Sequence, residues 1–137
     1  MDAFDADVLI YAAAPDHRLG RRVRSLLPED PLVVGVGSVL LIPEVLSKPL
    51  RDGSDDEVDA LSGILGRLDL MPVDAATAHL AATLGASYRL KAGDAVHLAT
   101  AVQAGAERFL TNNRRHFPRT IAEVDVTYPE DLPEPRS

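Results

Sequence analysis

Met1-Asp2-Ala3-Phe4-Asp5-Ala6-Asp7-Val8-Leu9-Ile10-Tyr11 opens the chain. Two aspartates interrupt its apolar residues, and the fold turns on where the first strand stops. Read by periodicity alone, residues 8–11 form a short apolar strand. Two further segments also set a carboxylate inside or against an apolar run. They are Pro43-Glu44-Val45-Leu46 and Gly93-Asp94-Ala95-Val96-His97-Leu98-Ala99-Thr100-Ala101. A fourth, Phe109-Leu110-Thr111-Asn112-Asn113, ends a strand-like run in amides. An unpaired charge in apolar surroundings is costly. Acids that converge from separate elements usually do so around a hard cation.

Outward from these motifs, helices and strands alternate. Pro15 and Asp16 start a helix over 16–27, and Pro28 stops it. The β-branched run 32–36 reads as a buried strand. Ser38 caps a helix to about residue 47, and Pro43 within it predicts a kink. Residues 54–67 form a helix with Ser54 as cap and Glu57 completing a capping box. A strand over 68–73 precedes a helix over 75–90, capped by Asp74. Gly93-Asp94 opens the next helix, which Gly105 ends near residue 104. Strands over 108–111 and 121–126 complete the alternation. Residues 128–137, rich in proline and charge, read as a flexible tail. This order is that of one α/β domain with a mostly parallel sheet. In such sheets, sites form at the carboxyl ends of the strands.

Composition narrows the function. The chain has 137 residues, 46% of them hydrophobic, enough for a single core. Aromatics are 4%, so that core is chiefly Leu, Val, Ile and Ala. A net charge of −7 argues against a broad electrostatic grip on nucleic acid. It leaves room for local arginines and for cations bound at an acidic site. With no cysteine, disulfides, thiolate zinc sites and cysteine nucleophiles are excluded. No run reaches the ~18–20 apolar residues of a membrane span. The acidic start lacks the basic region of a signal peptide, so a cytoplasmic protein with no membrane association is expected.

The run Asp5-Ala6-Asp7-Val8-Leu9-Ile10-Tyr11 resembles the opening motif of PIN-domain ribonucleases. Ser38 with Glu44-Val45-Leu46 resembles the second motif, and Asp94 through Ala101 the third. Leu110-Thr111-Asn112-Asn113 followed by Phe117 is similar to the fourth. The resemblance covers residues 1–127 and points to VapC-type toxins of toxin–antitoxin pairs. It implies a PIN-like three-layer α/β/α fold with a mostly parallel central sheet, and it revises the first segment. The strand would end before Asp5, and residues 8–11 would turn helical.

The resemblance also implies an endoribonuclease that uses Mg²⁺, with Mn²⁺ as substitute. Asp5, Glu44 and Asp94 would hold the metal and carry catalysis. Asp7, Ser38, Thr111, Asn112 and Asn113 would line the site. Two carboxylates ~4 Å apart repel by roughly 4 kcal/mol at an effective dielectric of 20, so three need a counter-charge. Implied partners are RNA, a cognate antitoxin and a second copy of the chain, with helices 54–67 and 75–90 as candidate dimer surfaces. Arg114, Arg115 and Arg119 are candidates for RNA phosphate contacts. The chain departs from the family pattern at Ala6, Asp7 and Asn113, where a hydroxyl residue, a neutral polar residue and an acid are usual.

Other readings compete. Asp94 can be a helix cap, Glu44 a surface acid, and the two asparagines turn formers. His97 reads more readily as a buried, hydrogen-bonded histidine than as a general base, and His17, His79 and His116 show no ligand spacing. Arg18, Arg21 and Arg22 share a helix face, read as solvated. A domain that binds RNA or protein without cutting is the alternative to a nuclease. A phosphate-receiver module needs a late-strand lysine that the chain lacks.

Overall fold

β1 covers Asp2–Phe4 and stops immediately before Asp5. α1, Ala6–Ala13, begins at once, so residues 8–11 are helical. Val8, Leu9 and Ala12 are its buried side chains, and this helical stripe overrides the strand-like look of the run. The computed structural model describes residues 1–28 and 32–135. After α1 come α2 (Arg18–Arg24), β2 (Gly35–Ser38), α3 (Leu41–Arg51), α4 (Asp55–Leu65) and β3 (Leu68–Met71). α5 (Ala75–Tyr88), α6 (Ala92–Gln103), β4 (Arg108–Leu110), β5 (Asp125–Thr127) and a 3₁₀ turn (Pro129–Asp131) complete the chain.

The five strands form one parallel sheet in the order β3-β2-β1-β4-β5. Alternation along each strand sorts side chains between two cores. Ala3 and Phe109 face one core with α5 and α6, through Ala81, Leu84, Leu98 and Ala99. Phe4 and Leu110 face the other with α1, α2, α3 and α4, through Leu9, Val23, Leu41 and Leu61. The result is the expected three-layer α/β/α arrangement. Phe109 and Phe117 meet edge to face, ring centroids 5.0 Å apart. Such a pair adds about 0.5–1.5 kcal/mol beyond burial.

Several boundaries differ from those expected of the sequence. The strand expected over 32–36 lies at Gly35–Ser38, and Leu32 and Val33 are 67% and 59% exposed. Close packing selects the glycine. A Cβ on Gly35 would sit 2.6 Å from the Asp2 carbonyl oxygen and 2.7 Å from the Phe4 ring. Pro43 falls in the first turn of α3, where its nitrogen has no helical acceptor to lose, and the helix continues to Arg51. Ser54 makes no side-chain cap bond, whereas Asp74 does cap α5. The strand expected over 121–126 is β5, Asp125–Thr127.

The flexible tail expected from residue 128 is docked instead. Tyr128 and Leu132 are buried, and Tyr128 Oη donates to the Phe117 carbonyl at 2.7 Å. Arg22 of α2 donates to the carbonyls of Glu130 at 3.0 Å and Leu132 at 3.1 Å. Of the arginine face read as solvated, Arg22 thus turns inward to hold this segment. Residues 136–137 of the expected tail lie outside the described residues.

Candidate active site

β1 lies between β2 and β4: the chain runs from β1 through β2 to β3 at one edge, then crosses back to β4 on the other side of β1. A crevice at the carboxyl ends of its strands is where doubly wound sheets bind ligands. Asp5 is the residue that β1 delivers there. Its backbone N–H donates to the Leu110 carbonyl at 2.9 Å, extending the β1–β4 pairing by one residue. Its Oδ1 accepts from the Ala6 N–H at 2.9 Å and so caps α1. Its Oδ2 accepts from Thr111 Oγ1 at 2.8 Å, just beyond the end of β4. One backbone and two carboxylate contacts hold this residue, which is only 6% exposed.

These contacts do not fully offset the cost of burial. Desolvation pushes the Asp5 pKa up. The His97 charge and the bonds from Thr111 and Ala6 oppose the shift, and Asp94 adds to it. Asp7, in the first turn of α1, is pushed up to about 7 by burial and then by the Asp5 charge. Asp7 Oδ2 accepts from the Asn112 N–H at 3.0 Å. Its Oδ1 is buried with no donor, as is Asn112 Oδ1. The site therefore holds more buried acceptor capacity than the protein's own donors satisfy.

Glu44 and Asp94 enter from the first turns of α3 and α6. Asp94 thus sits inside the helix, and Lys91 rather than Asp94 occupies the cap position. Glu44 Oε1 pairs with Nε2 of the buried His97, one turn after Asp94. Burial alone would lower the His97 pKa. The Glu44 bond and the charges of Asp5, Glu44 and Asp94 outweigh it and leave the pKa raised. The reading of His97 as a buried, bonded histidine agrees with this geometry. Asp94 Oδ2 lies 3.3 Å from His116 Nδ1. Asn113 Nδ2 also approaches that nitrogen, at 3.0 Å. The Asn113 contact has hydrogen-bond geometry, with Nδ1 accepting from the amide, whereas the Asp94 carboxylate is a neighbour at ion-pair distance.

Asn113 serves the turn that it begins. Its N–H donates to Thr111 Oγ1 at 3.1 Å, and its carbonyl accepts from the Phe117 N–H at 2.9 Å. Ser38 Oγ accepts from the Leu40 N–H at 3.1 Å, leading the chain into α3. Asn112 Nδ2 reaches Tyr11 Oη at 3.3 Å, and the Tyr11 ring stacks on His17 at 4.2 Å. Tyr11, part of the opening motif, and His116, which had no ligand spacing, are further neighbours of the site, one turn after Asp7 and three residues after Asn113.

Asp5, Asp7 and Asp94 thus share one electrostatic neighbourhood, with His97 among them. Glu44 joins it through His97. Among the described residues, no three acidic or histidine side chains close into a ligand shell for a metal. Of the three arginines expected at phosphates, Arg114 pairs with Glu130 at 2.6 Å and Arg119 with Asp131 at 2.7 Å. Only Arg115 lacks an acid partner among the described residues. A cavity of about 570 Å³ lies elsewhere, lined by residues such as Ala12, Arg24, Ile64 and Arg67. It holds none of these acids. No helix of the described residues is long and apolar enough to cross a membrane.

Solved structures share this architecture. A toxin–antitoxin complex from Klebsiella pneumoniae contains a chain with TM-score 0.73 and 22% identity, covering 94% of this chain and 98% of that one. VapBC2 from Rickettsia felis, bound to a DNA fragment from its promoter, gives TM-score 0.71 and 14% identity over 93% and 97%. FitAB bound to a DNA fragment gives TM-score 0.66 and 21% identity over 97% and 98%. At these identities the likeness is one of fold. No curated protein matches the chain significantly. The model of the PIN domain matches residues 3–122, nearly the whole folded unit, and the chain belongs to the PIN-domain family.

Proposed function

We propose that this PIN domain is a divalent-metal-dependent endoribonuclease, the toxin of a VapC-type toxin–antitoxin pair. The observation that carries the reading is Asp5. A carboxylate delivered to the switch point of the sheet, buried and beside Asp94, keeps a raised pKa despite three hydrogen-bonding and charged partners. Buried acids left under-compensated are the expected signature of a site that takes a cation. The all-oxygen donor set and the donorless Oδ1 of Asp7 fit Mg²⁺ or Mn²⁺.

Asp5, Asp94 and Glu44 would hold the ion. Bound there, it supplies charge stabilisation at the phosphoryl oxygens and acidifies a water for attack. The chain's own residues do the rest. Thr111 fixes the rotation of the Asp5 carboxylate through Oδ2. His97 fixes Glu44 by a hydrogen bond, and His116 lies 3.3 Å from the Asp94 carboxylate. Asn113, a neutral residue where the family usually has an acid, favours one ion over two. Asp7 adds charge on the same side of the cleft. A cognate antitoxin would silence the enzyme by covering this cleft. Dimerisation, with α4 and α5 as candidate surfaces, belongs to the same reading and is measurable by light scattering.

The test is RNA cleavage by the purified, antitoxin-free chain. Cutting should require Mg²⁺ or Mn²⁺, stop with chelator, and vanish in Asp5→Ala and Asp94→Ala. An inert wild type sinks the proposal. One observation favours a second reading, a PIN domain that binds RNA or a protein partner without cutting. Glu44 and Asp94 are each engaged by a histidine rather than turned to a common centre. That reading expects no binding of millimolar Mn²⁺.

A further inference from the structure

The C-terminal segment Tyr128–Glu134 packs on the loop that follows Asn113 and brings its own acids to the arginines found there. Arg114 and Arg119 flank the Tyr128 ring, their guanidinium carbons 4.6 and 4.4 Å from its centroid. Arg114 Nη2 meets Glu130 Oε1 at 2.6 Å. Arg119 donates to both oxygens of Asp131, at 2.7 and 2.8 Å. Arg22 holds the segment's backbone from α2, and its other nitrogen lies 3.8 Å from Glu134. The loop that carries Arg114 and Arg119 also carries His116, in contact with Asp94. The arginines therefore share a loop with a direct neighbour of Asp94.

Resting on the ribonuclease reading, we infer that this loop is an RNA backbone-binding surface whose arginines are already occupied by the protein's own phosphate mimics, Glu130 and Asp131. The planar guanidinium fork accepts a carboxylate and a phosphodiester in the same geometry. Stacking on Tyr128 holds each fork in place with or without the acid. The acids need not drag the segment away when they yield. Leu132 is buried and Arg22 bonds the backbone carbonyls, so the Glu130 side chain can swing away, while Asp131 can release Arg119 and still accept from the Tyr128 N–H at 2.9 Å. Both ion pairs are half exposed, with side-chain exposures of 45% and 56% for Arg114 and Glu130 and 56% and 30% for Arg119 and Asp131. Exposed pairs are weak enough to exchange. The net charge of −7 makes such a device useful, since it confines RNA binding to the one place where phosphates outcompete resident acids.

The experiment is binding of fluorescein-labelled single-stranded RNA to the full chain in chelator, monitored by anisotropy over a range of salt. Glu130→Gln/Asp131→Asn should bind about three- to tenfold tighter than wild type. It should also be more salt-sensitive, by about 1.4 in the log–log slope for two freed arginines. Both substitutions keep acceptor oxygens, so the Tyr128 N–H bond to residue 131 survives. Glu57→Gln/Asp59→Asn removes the same charge from α4 and should change affinity far less. Arg114→Gln/Arg119→Gln should weaken binding. A Glu130→Gln/Asp131→Asn protein that binds no tighter than the α4 control overturns the inference. So does an Arg114→Gln/Arg119→Gln protein that binds like wild type. Either result stands whether or not the protein cuts RNA with Mn²⁺, so the cleavage reading fails or holds separately.

Discussion

Asp5 and Asp74 both cap helices, and they meet opposite fates. Asp74 caps α5 at the surface, accepting from the Thr77 N–H at 2.9 Å and Thr77 Oγ1 at 2.8 Å, and those bonds lower its pKa. Asp5 caps α1 through the Ala6 N–H and accepts from Thr111 as well, yet its pKa is raised. Residue type, helix position and partner chemistry are nearly the same. The difference is burial, together with the acids that share the cleft. A cap in water is a stabilising device; the same cap at the sheet's switch point retains an electrostatic debt that a cation can settle.

The comparison breaks first on activity. Asp5→Ala should lower RNA cleavage at least ~100-fold, the scale for losing even a group that supports a metal ligand. Asp74→Ala should cut RNA as wild type does. Equal losses in both would reduce Asp5 to a structural cap.

The pH dependence of stability sharpens it next. Asp7, beside Asp5, moves from an ordinary 3.8 to about 7 on folding. A raised folded pKa means that its contribution is present in full below 3.8 and is lost as pH rises towards 7. At ~1.4 kcal/mol per pH decade, the loss is on the order of 4 kcal/mol as an upper bound. Metal-free protein should therefore melt at lower temperature at pH 8 than at pH 5. Mn²⁺ should restore the loss at pH 8 by binding the folded form. Asp7→Asn should flatten the profile. Asp74 runs the other way: its lowered pKa contributes above 3.8 and is lost as pH falls below it.

A milder effect is expected from Asp5→Asn. It removes the buried charge but keeps the shape, so it should melt higher than wild type in chelator at pH 7.5 while losing cleavage. A lower melting temperature would mean that the ionised form is well compensated. The smallest effect is that of Asp74→Ala, a drop of about 3 °C for a lost exposed cap, seen by thermal melt.

The acids were legible in the sequence because each interrupts an apolar run, and the helix containing Asp7 became legible only through the family resemblance. Periodicity could not separate a four-residue apolar strand from one face of α1. β2 was misplaced for a related reason. Leu32 and Val33 have strand-forming side chains, but the sheet needs the small Gly35 against Phe4, a tertiary demand with no local signal. The docked C-terminal segment was hidden in the same way. Its proline and charge look unstructured until Arg22, Arg114 and Arg119 arrive from distant positions. His116 carried no local signal because its partner, Asp94, lies 22 residues away in sequence.

The most direct measurement is a calorimetric titration of Mn²⁺ into the metal-free chain at pH 7.5, with Asp5→Asn alongside. Saturable binding to the wild type with close to one ion per chain, and none to Asp5→Asn, is the expected result. Wild-type protein that takes up no Mn²⁺ at millimolar concentration, or Asp5→Asn protein that binds it equally well, would contradict the account.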